Sequence, residues 1–81
     1  MKRITIKRVE HRVEVHGGTF AELLRQLKND TGLTYYELAV KLGVTNSTIY
    51  VWRTGQVDPG QQHLWIIAEM MGLLKWRKGQ Q

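Results

Sequence analysis

The stretch TYYELAVKLGVTNSTIYVWRTG, residues 34–55, decides the fold because it predicts two short helices joined by a tight turn. Thr34 can cap the first helix, and Glu37 three residues later completes a capping box, in which the two residues bond each other's backbone N–H groups. This helix then carries three apolar residues at helical spacing on one face, Leu38, Ala39 and Leu42. Gly43 follows, and glycine ends a helix in the left-handed conformation without steric cost.

The second half of the stretch repeats this organisation. Thr45 can cap a second helix, Ile49 and Trp52 lie three residues apart on its apolar face, and Gly55 ends it. Two helices with glycine in the corner and apolar residues facing each other describe a helix-turn-helix motif. The second helix keeps a mainly polar face on which we expect the function to lie, formed by Asn46, Ser47, Tyr50, Val51 and Thr54.

Length and composition predict one small globular domain and are compatible with a reducing compartment. The chain has 81 residues, of which 42% are hydrophobic and 23% charged. It has no cysteine, which excludes disulfides and thiolate metal sites. The longest apolar stretch, residues 64–74, is interrupted by Glu69 and is too short to span a bilayer. With no secretory signal at the start, these features predict a soluble, cytoplasmic protein.

The positive charge is concentrated at the two ends of the sequence. The formal net charge is +5 at pH 7. Residues 1–18 hold five basic and two acidic residues, whereas residues 19–72 hold four basic and five acidic ones. Residues 73–81 add three basic residues and no acid. This balance favours a polyanion such as nucleic acid, although a net charge of this size also serves solubility alone.

Residues 3–16, RITIKRVEHRVEVH, alternate between apolar and polar and therefore predict β-structure. One bent strand and a hairpin both fit, because a hairpin would need its turn near residues 9–11, where no Gly, Pro, Asn or Asp occurs. A two-stranded ribbon is marginal alone, so it must pack on the helices, pair with a second copy, or both. Its basic residues either contact phosphate or form a solvated outer face: Lys2, Arg3, Lys7, Arg8 and Arg12.

Two further helices flank the motif. A capping box from Thr19 to Glu22 opens the first, and its core stripe consists of Phe20, Leu23, Leu24 and Leu27. The last helix is predicted to start with Asp58 as cap, Pro59 in the first helical position and Gln61 three residues after the cap. Its core face consists of Leu64, Ile67, Ala68 and Met71.

Apolar residues also lie on other sides of the last helix, so another element must cover this surface. Either the N-terminal strand covers it, or a second copy of the chain does. The expected dimer interface combines strand, helix and tail residues: Ile4, Ile6, Trp65, Ile66, Met70, Leu74 and Trp76.

The whole pattern resembles a known family. It consists of a first helix, then T-x-x-E-L-A-x-x-L-G-V-T, then S-T-I-x-x-W-x-x-G, then a proline-started helix ending A-x-x-M-G. Over residues 20–73 it is similar to the phage Cro and repressor type of helix-turn-helix, the xenobiotic-response-element class. The resemblance implies a mainly α, four- to five-helix lambda-repressor-like domain over residues 19–73. An N-terminal β-strand or hairpin segment (1–18) and a basic tail (74–81) would flank it.

The same resemblance implies which residues meet DNA. The helix starting at Asn46 would enter the major groove, where the Asn46 amide can bond an adenine edge and Val51 can meet a thymine methyl group. Ser47 and Tyr50 would be less selective base contacts. The expected phosphate contacts are Tyr35, Tyr36, Thr45, Arg53, Thr54 and Gln56. Where the family commonly has glutamate, this chain has Arg53, which would face Lys28 and is expected to turn outward.

These residues predict a dimeric, sequence-specific repressor that reads palindromic double-stranded DNA in the cytoplasm of a bacterial or phage-infected cell, near the nucleoid. The alternative is an antitoxin-like or other protein-interaction module with a helix-turn-helix core and a protein partner. No enzyme, metal site or cofactor is expected, since the three histidines lack metal-ligand spacing and no glycine-rich phosphate loop precedes a helix. No membrane partner is expected either.

Overall fold

The computed structural model describes residues 3–70, which form an antiparallel hairpin followed by four helices. The elements are β1 (Thr5–Val9), β2 (Arg12–His16), α1 (Phe20–Thr31), α2 (Tyr35–Leu42), α3 (Asn46–Arg53) and α4 (Gln61–Met70). The predicted mainly α architecture with an N-terminal β segment is confirmed. Of the two alternatives left open for residues 3–16, the hairpin is the one observed.

The hairpin turns through two residues, Glu10 and His11, between the paired residues Val9 and Arg12. Glu10 has a φ of 58°, in the left-handed region where glycine is the favoured residue. The side chain of Arg8 helps to hold the loop, because its Nε donates to the carbonyl oxygen of Glu10 at 3.1 Å. A tight turn therefore forms without any of the usual turn residues.

One face of the hairpin is part of the core of the same chain. Ile4, Ile6 and Val13 are buried together with the apolar faces of the helices. Ile4 and Ile6 are only 8% and 3% exposed, so they do not present a surface to a second copy. Their expected place in a dimer interface is therefore corrected: burying these residues against the helices is what keeps a two-stranded ribbon folded.

Two glutamine side chains fasten the hairpin to the helices. The Gln26 amide on α1 accepts from the N–H of Ile4 at 3.0 Å and donates to its carbonyl oxygen at 2.7 Å. The Gln61 amide on α4 does the same for Val13, at 2.7 and 2.9 Å. Each amide thus bonds the strand backbone as a neighbouring peptide group would, which satisfies polar groups that are partly buried.

Helix ends that depend on local sequence form as predicted. Both capping boxes are present, Thr19 with Glu22 at the start of α1 and Thr34 with Glu37 at the start of α2. Gly43 ends α2 with a φ of 75°. These contacts satisfy N–H and C=O groups that have no partner inside the helix.

The predicted start of α4 is wrong by two residues. The helix begins at Gln61, and the N–H of Leu64 bonds the carbonyl oxygen of Gly60 at 3.2 Å. Asp58 and Pro59 lie before it. Gln61 does not complete a capping box with Asp58, because its amide is bound to Val13 across the fold.

The four helices surround one apolar core, and Trp52 points into it as predicted. The Trp52 ring meets Phe20 edge-on, with 5.7 Å between centroids, and lies 5.2 Å from the His63 ring. The other buried helix residues are Leu23, Leu24, Leu27, Leu38, Ala39, Leu42, Ile49, Leu64, Ile67 and Ala68. Met71, expected on the core face of α4, lies outside the described residues. Within residues 3–70, none of the helices has the length and apolar character that crossing a membrane requires.

Candidate nucleic-acid interface

The turn between α2 and α3 fixes where the second helix begins. The N–H of Val44 bonds the carbonyl oxygen of Ala39 at 2.9 Å, which closes α2 over Gly43. Val44 is half-buried against the core. The Thr45 hydroxyl then accepts from the N–H of Thr48 at 3.1 Å, so α3 starts at Asn46. The capping bond and the packing of Val44 therefore fix where the first turn of α3 lies at the surface.

The outer side of α3 carries the residues expected to read bases. Asn46 and Ser47 are exposed, and within residues 3–70 neither side chain has a hydrogen-bond partner. Tyr50 is 51% exposed, while Val51 is half-buried. They border an open groove of about 470 Å³, here called the α3 groove, which is lined by Tyr35, Asn46, Ser47, Ile49, Tyr50, Val51 and Arg53. All four expected base-reading residues thus share one surface.

Three residues expected to contact phosphate, Thr45, Thr54 and Gln56, form hydrogen bonds at the start or the end of α3. Thr45 is the cap of α3, as described above. The Thr54 hydroxyl donates to the carbonyl oxygen of Tyr50 at 2.9 Å and accepts from the Gln56 amide at 3.0 Å. The hydroxyl proton of Thr54 is therefore used inside the protein, whereas the Gln56 amide keeps a second N–H for a further acceptor.

Arg53 lies exposed, stacked on two tyrosines. Its guanidinium carbon is 4.9 Å from the centroid of the Tyr35 ring and 5.1 Å from that of Tyr50. Lys28 of α1 approaches the same Tyr35 ring, with its Nζ 5.5 Å from the centroid. Arg53 is thus exposed as expected, but it shares an aromatic ring with Lys28 instead of pointing away from it.

Sequence reasoning did not identify Lys28 as a candidate site residue. The only signal is the expected approach of Arg53 to Lys28, which by itself predicts that Arg53 turns outward. Nothing in the linear sequence showed that Tyr35 would place its ring beside both cations.

Tyr36 lies apart from the α3 groove. It is 64% exposed and borders another open depression, together with Leu33, Glu37, Val40 and Lys41. Val40 is 63% exposed on the same side of α2. Of the two tyrosines expected to contact phosphate, the structure brings only Tyr35 to the α3 groove.

The outer side of α4 carries the described part of the expected dimer interface. Ile66 is 36% exposed, and Trp65 and Met70 are half-buried against the core. The guanidinium carbon of Arg8 is 5.8 Å from the Trp65 ring. We call Trp65, Ile66 and Met70 the α4 face. Leu74 and Trp76 lie outside the described residues.

Several basic side chains near the hairpin already have acidic neighbours. Arg3 pairs with Asp30, and this hydrogen bond raises the pKa of Arg3. Arg12 lies 3.2 Å from Glu14, which also bonds His16 at 3.1 Å. The hairpin is therefore a weaker source of free positive charge than the sequence indicates. In the described part of the chain, no cluster of three histidine or acidic residues is arranged to hold a metal ion.

Comparison with known proteins adds one finding. A family model described as helix-turn-helix matches residues 24–76, which include α2, α3 and α4. Neither the curated proteins nor the solved structures contain a match.

Proposed function

The chain belongs to the helix-turn-helix family of DNA-binding regulators, and we propose that it is a dimeric repressor that recognises a palindromic operator with α3. Its expected place of action is the cytoplasm of a bacterial or phage-infected cell, at the nucleoid. The proposal includes a Cro or repressor type of action, in which occupancy of the operator blocks transcription.

The observation that carries this proposal is the exposed first turn of α3. Asn46 and Ser47 stand at the start of a capped helix, without partners in the described part of the chain. A free amide at the N-terminal end of a recognition helix suits readout of base edges in the major groove. We assign Asn46 to an adenine, Val51 to a thymine methyl group, and Ser47 and Tyr50 to less selective contacts.

Phosphate contacts would fix the position of α3 without selecting sequence. Tyr35, Arg53 and Gln56 remain the strongest candidates, because Tyr35 and Arg53 line the α3 groove and the exposed Gln56 amide keeps a second N–H. We keep Thr45, Thr54 and Tyr36 in the proposed set. For the two threonines a phosphate contact would be added to a capping role that already engages the hydroxyl group.

One copy of α3 covers only a half-site, so two copies on a palindrome are expected, with half-site centres about one DNA turn apart. The α4 face supports a dimer because it carries apolar side chains that the described chain leaves partly exposed. With Ile4 and Ile6 buried in the core, the proposed interface consists of the α4 face extended by Leu74 and Trp76.

The test is replacement of Asn46 by alanine, after an operator has been obtained by selection from random duplex DNA. We expect N46A to lose about 1–3 kcal/mol of discrimination between operator and unrelated DNA, because one bidentate base contact is removed. Binding to unrelated DNA should not change. N29A, an exposed asparagine on α1, serves as the matched control. Unchanged discrimination by N46A would disprove the assignment of α3 as the recognition helix.

A second candidate function is an interaction module whose helix-turn-helix core accompanies a bound protein, as in an antitoxin. Exposed apolar side chains outside the α3 groove favour it, among them Val40, Val57 and Ile66. Mass measurement of the purified chain separates the two proposals. A homodimer supports the repressor, whereas a monomer that copurifies with a stoichiometric different protein supports the module.

A further inference from the structure

We propose that Lys28, Tyr35 and Arg53 form a phosphate-binding site that extends the DNA interface from α3 onto α1. The inference rests on the proposed function, since it assigns this site to the backbone of the same DNA. It adds Lys28 as a DNA contact and gives Tyr35 a positioning role between two cations.

The geometry brings three separate elements to one point. Lys28 stands near the end of α1, Tyr35 is the first residue of α2, and Arg53 is the last residue of α3. Both cations lie within 5.5 Å of the Tyr35 ring centroid. Lys28 and Tyr35 are half-buried and Arg53 is exposed. Tyr35 and Arg53 also line the α3 groove, so Tyr35 links Lys28 to that groove.

Within residues 3–70, no acidic side chain forms an ion pair with Lys28 or with Arg53. The nearby acids on α1 and α2 are engaged elsewhere, Asp30 with Arg3 and Glu37 in the capping box of α2. Two cations held beside one ring therefore keep their charge available to an anion from outside.

The chemistry of the three side chains fits a phosphodiester. A guanidinium group presents parallel N–H donors that suit phosphate oxygens, and the lysine ammonium group adds a compact point charge. The Tyr35 ring attracts both cations through its negative face while its hydroxyl remains a donor. The ring thus holds in place two like charges that would otherwise repel each other, before DNA arrives.

A site of this kind predicts a contribution to affinity that is independent of sequence. Each phosphate contact releases condensed counterions, so the logarithm of affinity falls with the logarithm of salt concentration by about 0.9 per contact. Loss of Lys28 should weaken binding by the same factor on operator and on unrelated DNA. Loss of Asn46, by contrast, should change discrimination and leave the salt dependence alone.

The experiment measures DNA affinity across a salt series for the full chain and its variants, on an operator and on unrelated duplex DNA. We expect K28Q to reduce the slope by about 0.9 on both duplexes and K28R to restore it. R25Q, which removes an exposed charge one turn earlier on α1, should reduce neither slope by this amount. Equal slopes for K28Q and the unmodified chain would overturn the inference, even if N46A abolishes discrimination.

A second measurement is independent of DNA. Inorganic pyrophosphate should raise the melting temperature of the unmodified chain more than sodium chloride does at equal ionic strength, because the site binds the anion in the folded state. The difference should be smaller in K28Q. A pyrophosphate-specific shift in a chain that binds no DNA would refute the proposed function and support the anion site. Shifts of equal size in K28Q and the unmodified chain would refute the site.

Discussion

Glu10 occupies a backbone conformation that tight hairpins usually reserve for glycine. Its φ of 58° places its Cβ close to backbone atoms, which costs an L-residue roughly 1–2 kcal/mol. Replacement by glycine removes this cost and should therefore raise the free energy of unfolding by about 1 kcal/mol, after the greater entropy of glycine in the unfolded chain is subtracted. Urea denaturation measures the change.

Glu10→Ala is the control for that prediction, since alanine removes the carboxylate and keeps the Cβ. We expect E10A to be less stable than E10G. If the two variants unfold at the same denaturant concentration, the positive φ carries no strain and the explanation fails.

Only part of the candidate site could be predicted from the sequence. Asn46, Ser47, Tyr50 and Val51 could be placed on one surface because helical periodicity alone determines their directions. The cluster of Lys28, Tyr35 and Arg53 could not, because it depends on how three helices approach one another. The family resemblance places the like charges Lys28 and Arg53 opposite each other, but it does not place the Tyr35 ring beside both.

The side chain of Gln61 attaches the hairpin to α4. Replacing it by alanine leaves the N–H and carbonyl oxygen of Val13 without their partner in a partly buried place. We expect Q61A to lower the free energy of unfolding by about 1–3 kcal/mol. The neighbouring Gln62 is exposed, so Q62A should change stability by less than about 0.5 kcal/mol.

Thermal and urea unfolding of Q61A and Q62A under the same conditions would provide the measurement. Amide exchange at Val13 is a more local readout, because its N–H loses its acceptor only in Q61A. If both glutamine variants are equally stable, the bonds across the fold contribute nothing and water replaces them without cost.

The elements themselves differ in how well the sequence predicts their ends. Both capping boxes formed because the participating residues are three apart and no distant group competes for them. The sequence does not predict the start of α4 correctly, because the side chain of Gln61 bonds a strand 48 residues earlier in the chain. It does not mark a hairpin turn at Glu10 either, because no usual turn residue occurs there; packing of Ile4, Ile6 and Val13 in the core stabilises the hairpin instead.

At the scale of the whole molecule, the central question is how two copies would meet. We expect Ile66→Glu to convert the proposed dimer into a monomer, because it places a charge in an interface that should be apolar at its centre. Since Ile66 is already 36% exposed, the folded chain should tolerate the change. Analytical ultracentrifugation, with circular dichroism to confirm folding, measures the outcome.

Val40→Glu is the matched control, an exposed apolar residue on a different helix. It should leave the dimer intact, and only I66E should weaken binding to a palindrome relative to a single half-site. Retention of the dimer by a folded I66E chain would contradict the proposed interface.

The mainly helical fold with a β segment could be predicted from periodicity, capping residues and glycine positions, all of which act locally. The packing of the hairpin on the helices could not be predicted in this way. Alternation of apolar and polar residues defines the two faces of a strand, but it does not show what covers each face. Ile4 and Ile6 illustrate this: their pattern is the same whether they face a second copy or, as observed, the core of their own chain.

The glutamine side chains that hold the hairpin also restrict how the sheet can grow. Exposed strand edges are templates on which another chain can add a strand, and this is a common route to aggregation. Gln26 and Gln61 fill the backbone positions of Ile4 and Val13 that an incoming strand would need. An incoming strand would first have to displace a glutamine amide that already makes two hydrogen bonds. The edges of the hairpin are thus blocked at those two positions, so we expect helical surfaces to be the easier route to assembly.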